Sequence, residues 1–307
     1  MAPLRGIILK LCAVMCFIVM FALIKLSADH VPPGESVFFR SFFALPVIVG
    51  WLAMKGDLSV GLKVKSPTAH VLRGCLGTVA MGTNFAAVAL LPLPEVTALG
   101  YAMPLLVVVF AAMFLHERVG PYRFGAVALG LVGVLVVMEP NITIQSGNTI
   151  KSTQAFGVML VLFGAVCGAL AQIHIRNMVQ VEQTSAIVFW FSMTSSVLAL
   201  LTVPFGWVVP HGWEWVWLIS SGLIGGIGQI CLTSAYRFAD ASLVAPFDYA
   251  SMIFAVLIGY FLFAEVPTIQ TLVGALLVIS AGVIIILRER HLGLQRGRAR
   301  QAKTPLG

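Results

Sequence analysis

The chain has 307 residues, of which 59% are hydrophobic and only 10% charged, with a mean hydropathy of +0.99. That balance excludes a water-soluble domain of this length and points to a polytopic membrane protein. A net charge of +7 does not require nucleic acid, because the basic residues are distributed as a membrane protein distributes them.

Apolar runs approaching the roughly 20 residues needed to cross about 30 Å of hydrocarbon recur along the chain. Ten helical spans are expected, at 5–27, 36–54, 69–91, 95–116, 121–139, 155–176, 184–207, 214–236, 242–264 and 268–287. Turn-forming stretches separate them: DHVPPGE, LPLPE, HERVGPYR, EPNITIQSGNT and AEVPT. The alternating segments of about ten residues that mark a β-barrel are missing. Arg5 and Lys10 before the first apolar run imitate a secretory signal, but no clear cleavage site follows and nine further spans do.

Orientation follows from lysine and arginine, which cytoplasmic connections carry in excess. With the N-terminus inside, the cytoplasmic side receives Arg5, Lys10, Lys55, Lys63, Lys65, Arg73, Arg118, Arg123, Arg176, Arg237 and the basic tail, and the exterior loops receive Lys151. Both termini are therefore expected in the cytoplasm. The tail RERHLGLQRGRARQAK reads as a topology anchor beside anionic lipid. Cys12, Cys16, Cys75, Cys167 and Cys231 fall in apolar runs without metal-ligand spacing and read as packing.

Two cations remain within the first two spans, Lys25 and Arg40. Arg40 sits among phenylalanines in SVFFRSFFALPVIVG, where a guanidinium costs roughly 2.5 to 3.5 kcal/mol on insertion scales. Each is either a cavity or gate residue or a side chain snorkelling to the outer headgroups. Arg40 is expected at the outward-facing mouth.

The second half of the chain repeats the first. Tyr101 to Glu117 aligns without gaps with Tyr249 to Glu265; Gly125 and Gly133 correspond to Gly274 and Gly282; Lys25 lines up with His174, Ser41 with Ser192, and Arg40 with Phe191. Each unit holds five spans, an odd number, so the copies enter the membrane from opposite sides. This inverted arrangement is recurrent in secondary transporters, which bind substrate between the repeats near mid-membrane. The expected fold class is thus an all-α integral membrane protein of ten transmembrane helices in two inverted five-helix repeats. The first repeat spans 1–140, a periplasmic linker 141–153, the second repeat 154–288 and a basic tail 289–307.

With the glutamates closing the fourth span of each repeat (FLHE, LFAE) and the Gly-patterned fifth, the sequence resembles the EamA family of the drug/metabolite transporter superfamily. The resemblance implies transport of small organic metabolites by alternating access through a central cavity lined mainly by the first four helices of each repeat. FFR in the second span and RGCLGTVAMGTNFAAVALLPLPEVTAL in the third and fourth are similar to riboflavin uptake proteins and S-adenosylmethionine transporters.

Several residues could carry the chemistry. Asp248, inside the ninth span, is either a proton or cation relay or a carboxyl kept neutral among neighbouring helices. Asn84, Gln229, Thr233, Ser192 and His174 are polar within spans and serve either a cavity or interhelical hydrogen bonds. Tyr101 and Tyr249, with Trp190 matched to Phe39, could wall a cavity for a planar ring. Glu117 and Glu265, with Lys25 and His174, are gate candidates. Pro46 and Pro104 should kink their spans, and Gly222 and Gly226 should allow close helix approach.

The expected function is a secondary transporter of the bacterial inner membrane. Riboflavin uptake is the first expectation, with S-adenosylmethionine or an amino-acid-like or drug-like metabolite as the alternative, and protons as a possible coupling ion at Asp248. A channel is the alternative of a different class. No cofactor, metal or nucleic acid is implied. A membrane enzyme would need clustered carboxylates, an HExxH pair or a nucleophile with its base, and none occurs.

Overall fold

The computed structural model describes residues 3–56, 61–114, 121–142, 149–178, 181–238 and 245–302. All regular structure among the described residues is helical. The order is α1 (Pro3–Ser27), α2 (Pro33–Phe42), α3 (Ala44–Lys55), α4 (Pro67–Leu90), α5 (Leu93–Gly100), α6 (Ala102–Phe114), α7 (Pro121–Ile142) and α8 (Thr149–Met178). There follow α9 (Thr184–Leu200), α10 (Trp213–Phe238), a 3₁₀ turn (Ala245–Tyr249), α11 (Ala250–Phe263) and α12 (Ile269–Ala302). Among the described residues, five stretches are long and apolar enough to cross a membrane: Leu4–Ser27, Pro33–Met54, Pro67–Leu90, Ser152–Ile175 and Trp213–Leu232. Shorter apolar helices run over Leu93–Val107, Gly125–Met138, Ser185–Leu200, Phe247–Phe263 and Ile269–Ile284. Large apolar side chains such as Met159, Phe261 and Leu276 stay exposed on the outside of the bundle, as in a protein whose solvent is lipid.

Proline sets where the helices start and where they break. Pro33, Pro67 and Pro94 stand in the first turns of α2, α4 and α5, where a missing N–H costs nothing. Inside a helix the ring instead clashes with the carbonyl four residues back. α2 ends at Phe42, four before Pro46, and α5 ends at Gly100, four before Pro104. The expected kinks are therefore interruptions, at Phe43 and Tyr101, and they divide the expected spans 36–54 and 95–116.

Three boundaries differ from the sequence-based expectation. α9 stops at Leu200 rather than 207, because Pro204 lies in a 3₁₀ turn and Gly206 closes it with φ 97°. The last helix continues without a break to Ala302, so much of the basic tail is helical in its backbone. α8 begins at Thr149, inside the segment read as a linker.

The helices pack mainly across the two halves of the sequence. α1 lies along α10, α4 along α8 and also α9, α7 along α12, and α2 along α9. A Cβ at Gly222 would come 2.5 Å from Phe43 Cβ, and one at Gly226 3.1 Å from Ala44 Cα. The bare faces of these glycines let α10 close onto the α2–α3 break, as their spacing predicts. The largest apolar core joins α5, α6, α7, α8 and α12 through Leu99, Leu105, Val134, Val161 and Val278.

Candidate functional site

The centre of the bundle holds two arginines. Arg40 from α2 and Arg73 from α4 are 4% and 8% exposed, so neither snorkels. Their Cζ atoms lie 5.5 Å and 4.1 Å from the centroid of the Phe191 ring on α9. Nε and Nη1 of both guanidiniums are buried without a hydrogen-bond partner. Two glycines make the room: a Cβ at Gly77 would overlap Arg73 Nη1 and come 2.7 Å from Phe191, and one at Gly225 would lie 3.4 Å from Arg40 Nε. Thr78 Oγ1 and Ser195 Oγ, 2.7 Å apart, tie α4 to α9 alongside.

Arg73 was assigned by sequence to the cytoplasmic side; its side chain folds along α4 over Gly77 and is buried against Phe191. Arg40 was expected at the mouth. Because α2 already begins at Pro33, Arg40 is seven residues, or about 10 Å by helix rise, inside its helix, and it reaches the middle of α9 and α10.

Two lysines of α1 are paired. Lys10, 1% exposed, makes a 2.7 Å ion pair with Asp248 of the 3₁₀ turn before α11. It is thus a buried ion-pair partner. Lys25 makes a 2.6 Å ion pair with Glu265 and donates to the Leu91 carbonyl at 2.7 Å, while Glu265 accepts from the Leu93 N–H at 2.8 Å. Snorkelling is therefore not what Lys25 does. The two pairs bridge α1 and the α11 segment near both ends. Beside Lys25 lies a recess of about 200 Å³, lined also by Asp29, Val88 and Phe263.

The matched tyrosines meet each other. Tyr101 and Tyr249 pack edge to face with centroids 5.2 Å apart, and the Tyr101 hydroxyl lies 2.6 Å from Ser251 Oγ. Tyr101 belongs to the apolar core, and Gly282 leaves the space taken by the Tyr249 hydroxyl. Trp190 turns from the arginines and donates from Nε1 to the Leu62 carbonyl at 3.1 Å, while its counterpart Phe39 packs on Trp215 and Phe43. Asn84 donates to the Ala80 carbonyl one turn back, against Gly164 of α8. His174 Nε2 lies 3.1 Å from the Ala69 carbonyl, and Gln229 is half-buried in α10. Glu117 and the side chain of Thr233 lie outside the described residues.

Carboxylates also hold the loops at both ends of the bundle. Glu35, at the start of α2, accepts from the Val208 N–H at 3.1 Å, and Glu182, before α9, accepts from the N–H groups of Lys65 and Ser66 at 2.9 and 2.8 Å. Desolvation pushes the Glu182 carboxyl up, but the Ser66 and Lys65 amides with His70 beside them outweigh it, and its pKa lies below the ordinary value.

His30, His211 and Glu214 are the one group among the described residues whose ligand atoms gather as a metal site requires. His30 Nδ1 is 2.9 Å and His211 Nδ1 4.0 Å from Glu214 Oε2. The same oxygen accepts from the His211 N–H at 2.7 Å, so hydrogen bonding accounts for the cluster without an ion.

The model of the EamA-like transporter family matches this chain twice, over residues 4–139 and 155–288. The chain belongs to the EamA-like transporter family. Among its relatives, the pseudopaline exporter CntI of Pseudomonas aeruginosa (strain PAO1) is 30% identical over 91% of this chain and 95% of that protein. The S-adenosylmethionine uptake transporter of Rickettsia felis is 27% identical over 83% of each. One solved crystal structure superposes with a TM-score of 0.67 at 22% identity, covering 94% of this chain and 98% of the other, a likeness of fold. As a member of this family, the EamA-like protein is a multi-pass membrane transporter.

Proposed function

We propose that this EamA-like protein is a secondary active transporter of ten spans in two inverted repeats, residues 1–140 and 154–288. It moves a small organic metabolite across the bacterial inner membrane by alternating access, with both termini in the cytoplasm. The ten spans follow when α2 with α3, α5 with α6, and the 3₁₀ turn with α11 each count as one. The observation that carries this reading is the pairing of helices across the halves. If α1 corresponds to α8 and α4 to α10, then α1 on α10 and α4 on α8 are one contact made twice, and α7 on α12 is a contact between counterparts. Five spans per copy invert the second copy, and rocking of one against the other exposes the centre alternately to each side.

For the cargo, a zwitterionic amino-acid-like metabolite of the S-adenosylmethionine kind is favoured over riboflavin. A relative with that named substrate covers most of the chain. The tyrosines expected to stack on a flat ring system are packed on one another instead. The unpartnered donors at the centre are cationic. Proton coupling, if it operates, runs through opening of the Lys10–Asp248 pair.

Uptake and efflux of labelled S-adenosylmethionine and labelled riboflavin, measured side by side in membrane vesicles, test the choice. Movement of the sulfonium amino acid is expected, and movement of riboflavin alone would reverse it.

A further inference from the structure

We propose that Arg40 and Arg73 together form the carboxylate-binding subsite of the cargo, with the Phe191 ring as the one side chain in contact with both guanidiniums. The inference rests on the transporter reading for its biological meaning and on the geometry for its chemistry.

Charge is the first argument. Arginine stays protonated in proteins, so the two guanidiniums place two positive charges in the interior. Among the described residues, no carboxylate lies within ion-pair distance of either guanidinium. The same bundle does pair two lysines of α1, Lys10 with Asp248 and Lys25 with Glu265. Buried charges are normally matched, and leaving two like charges without an acidic side chain is costly. An arriving anion relieves that cost, which gives the loaded carrier a stabilisation that the empty one lacks.

Geometry is the second. Both Cζ atoms lie within 5.5 Å of one ring centroid, so the two guanidiniums are neighbours around a single side chain. The ring satisfies their faces by cation–π attraction and leaves the N–H edges, where Nε and Nη1 of each have no partner. A planar fork of N–H donors is complementary to a carboxylate. The surrounding residues come from both halves of the chain: Arg40 and Arg73 with Gly77 from the first, Phe191 and Gly225 from the second. A ligand held there would touch both halves and would sense their relative movement.

The test is binding to the purified full-length protein in lipid nanodiscs, read by thermal stabilisation and titration calorimetry. The probes are S-adenosylmethionine, methionine, histidine and acetate, the matched carboxamides methioninamide, histidinamide and acetamide, and inorganic phosphate as a competitor. At least one carboxylate should bind about tenfold or more tightly than its carboxamide, and Arg40→Gln and Arg73→Gln should each abolish that preference. The carboxylate–carboxamide comparison on the unaltered protein needs no variant to fold. Arg73→Lys, which keeps the charge and loses the fork, should bind with intermediate affinity. Equal binding of acids and amides, binding of none of the acids, or binding of phosphate alone would overturn the proposal. Carboxylate binding without exchange across a bilayer would leave this subsite standing and remove the carrier reading; exchange with no preference for the acid would do the reverse.

Discussion

The Arg40 guanidinium carbon lies 5.5 Å from the centroid of the Phe191 ring, and the two residues occupy matching positions in the two halves of the sequence. A position that carries a cation in one half carries its aromatic partner in the other. Arg73 lies on the same ring at 4.1 Å.

Phe191 holds two cations, so its removal should be felt twice. Each cation–π contact contributes about 0.5 to 2 kcal/mol depending on desolvation. Phe191→Leu should lower the thermal midpoint and weaken carboxylate binding, whereas Phe191→Tyr, which keeps a π face, should retain most of both. Equal behaviour of the two variants would show that only the ring's volume matters.

The Lys25–Glu265 pair joins α1 to the end of α11, and Glu265 also holds the start of α5 through the Leu93 N–H. Glu265→Gln keeps an acceptor for Leu93 and loses the ion pair, whereas Lys25→Met leaves a half-buried carboxylate facing one amide. Lys25→Met should therefore be the more damaging, by about 1 to 3 kcal/mol. If the pair is a gate, a cysteine introduced at Val88, in the adjoining recess, should label faster with a membrane-impermeant maleimide in Lys25→Met. Unchanged labelling would make the pair a structural clasp.

Lys10 is buried and Asp248 is half-exposed on the side-chain scale, at 2% and 44%. Asp248→Asn removes the carboxylate from a buried ammonium and should cost about 3 kcal/mol, the low end for breaking a buried pair. Lys10→Met/Asp248→Asn should recover most of that loss, as measured by thermal unfolding in detergent. If protons are coupled here, Asp248→Asn should also flatten the pH dependence of transport; an unchanged profile makes the residue structural.

Where interactions are local or repeated, the sequence was readable. The helix breaks follow from Pro46 and Pro104 acting four residues back, and Lys25 and Glu265, both singled out by sequence, form an ion pair. Arg73 was hidden because a basic residue near the start of a span has the signature of a topology anchor, and nothing local reveals that Gly77 lets it fold inward. Lys10 was hidden for the same reason, since its partner Asp248 is 238 positions away and only the packing of α1 on the α11 segment brings them together. The repeat register pairs the two tyrosines, but register does not say that they would touch each other rather than a cavity.

Glu182 gives a pH prediction with a definite sign. Its pKa in the folded protein is below the ordinary 4.5, so its contribution to stability is complete above that value. It is lost progressively as pH falls from there through the lowered folded value. The thermal midpoint of the unaltered protein should thus drop across that acid range, and Glu182→Gln should start lower at neutral pH and fall less. Parallel curves would mean that Glu182 does not hold the Lys65–Ser66 loop.

Exchange across a sealed bilayer tests the carrier most directly. Proteoliposomes preloaded with unlabelled S-adenosylmethionine should take up labelled S-adenosylmethionine several times faster than empty ones, because a carrier returns faster loaded than empty. The acceleration should vanish with Arg73→Gln. Flux independent of the internal substrate, accompanied by a steady conductance, would contradict alternating access and make the protein a channel.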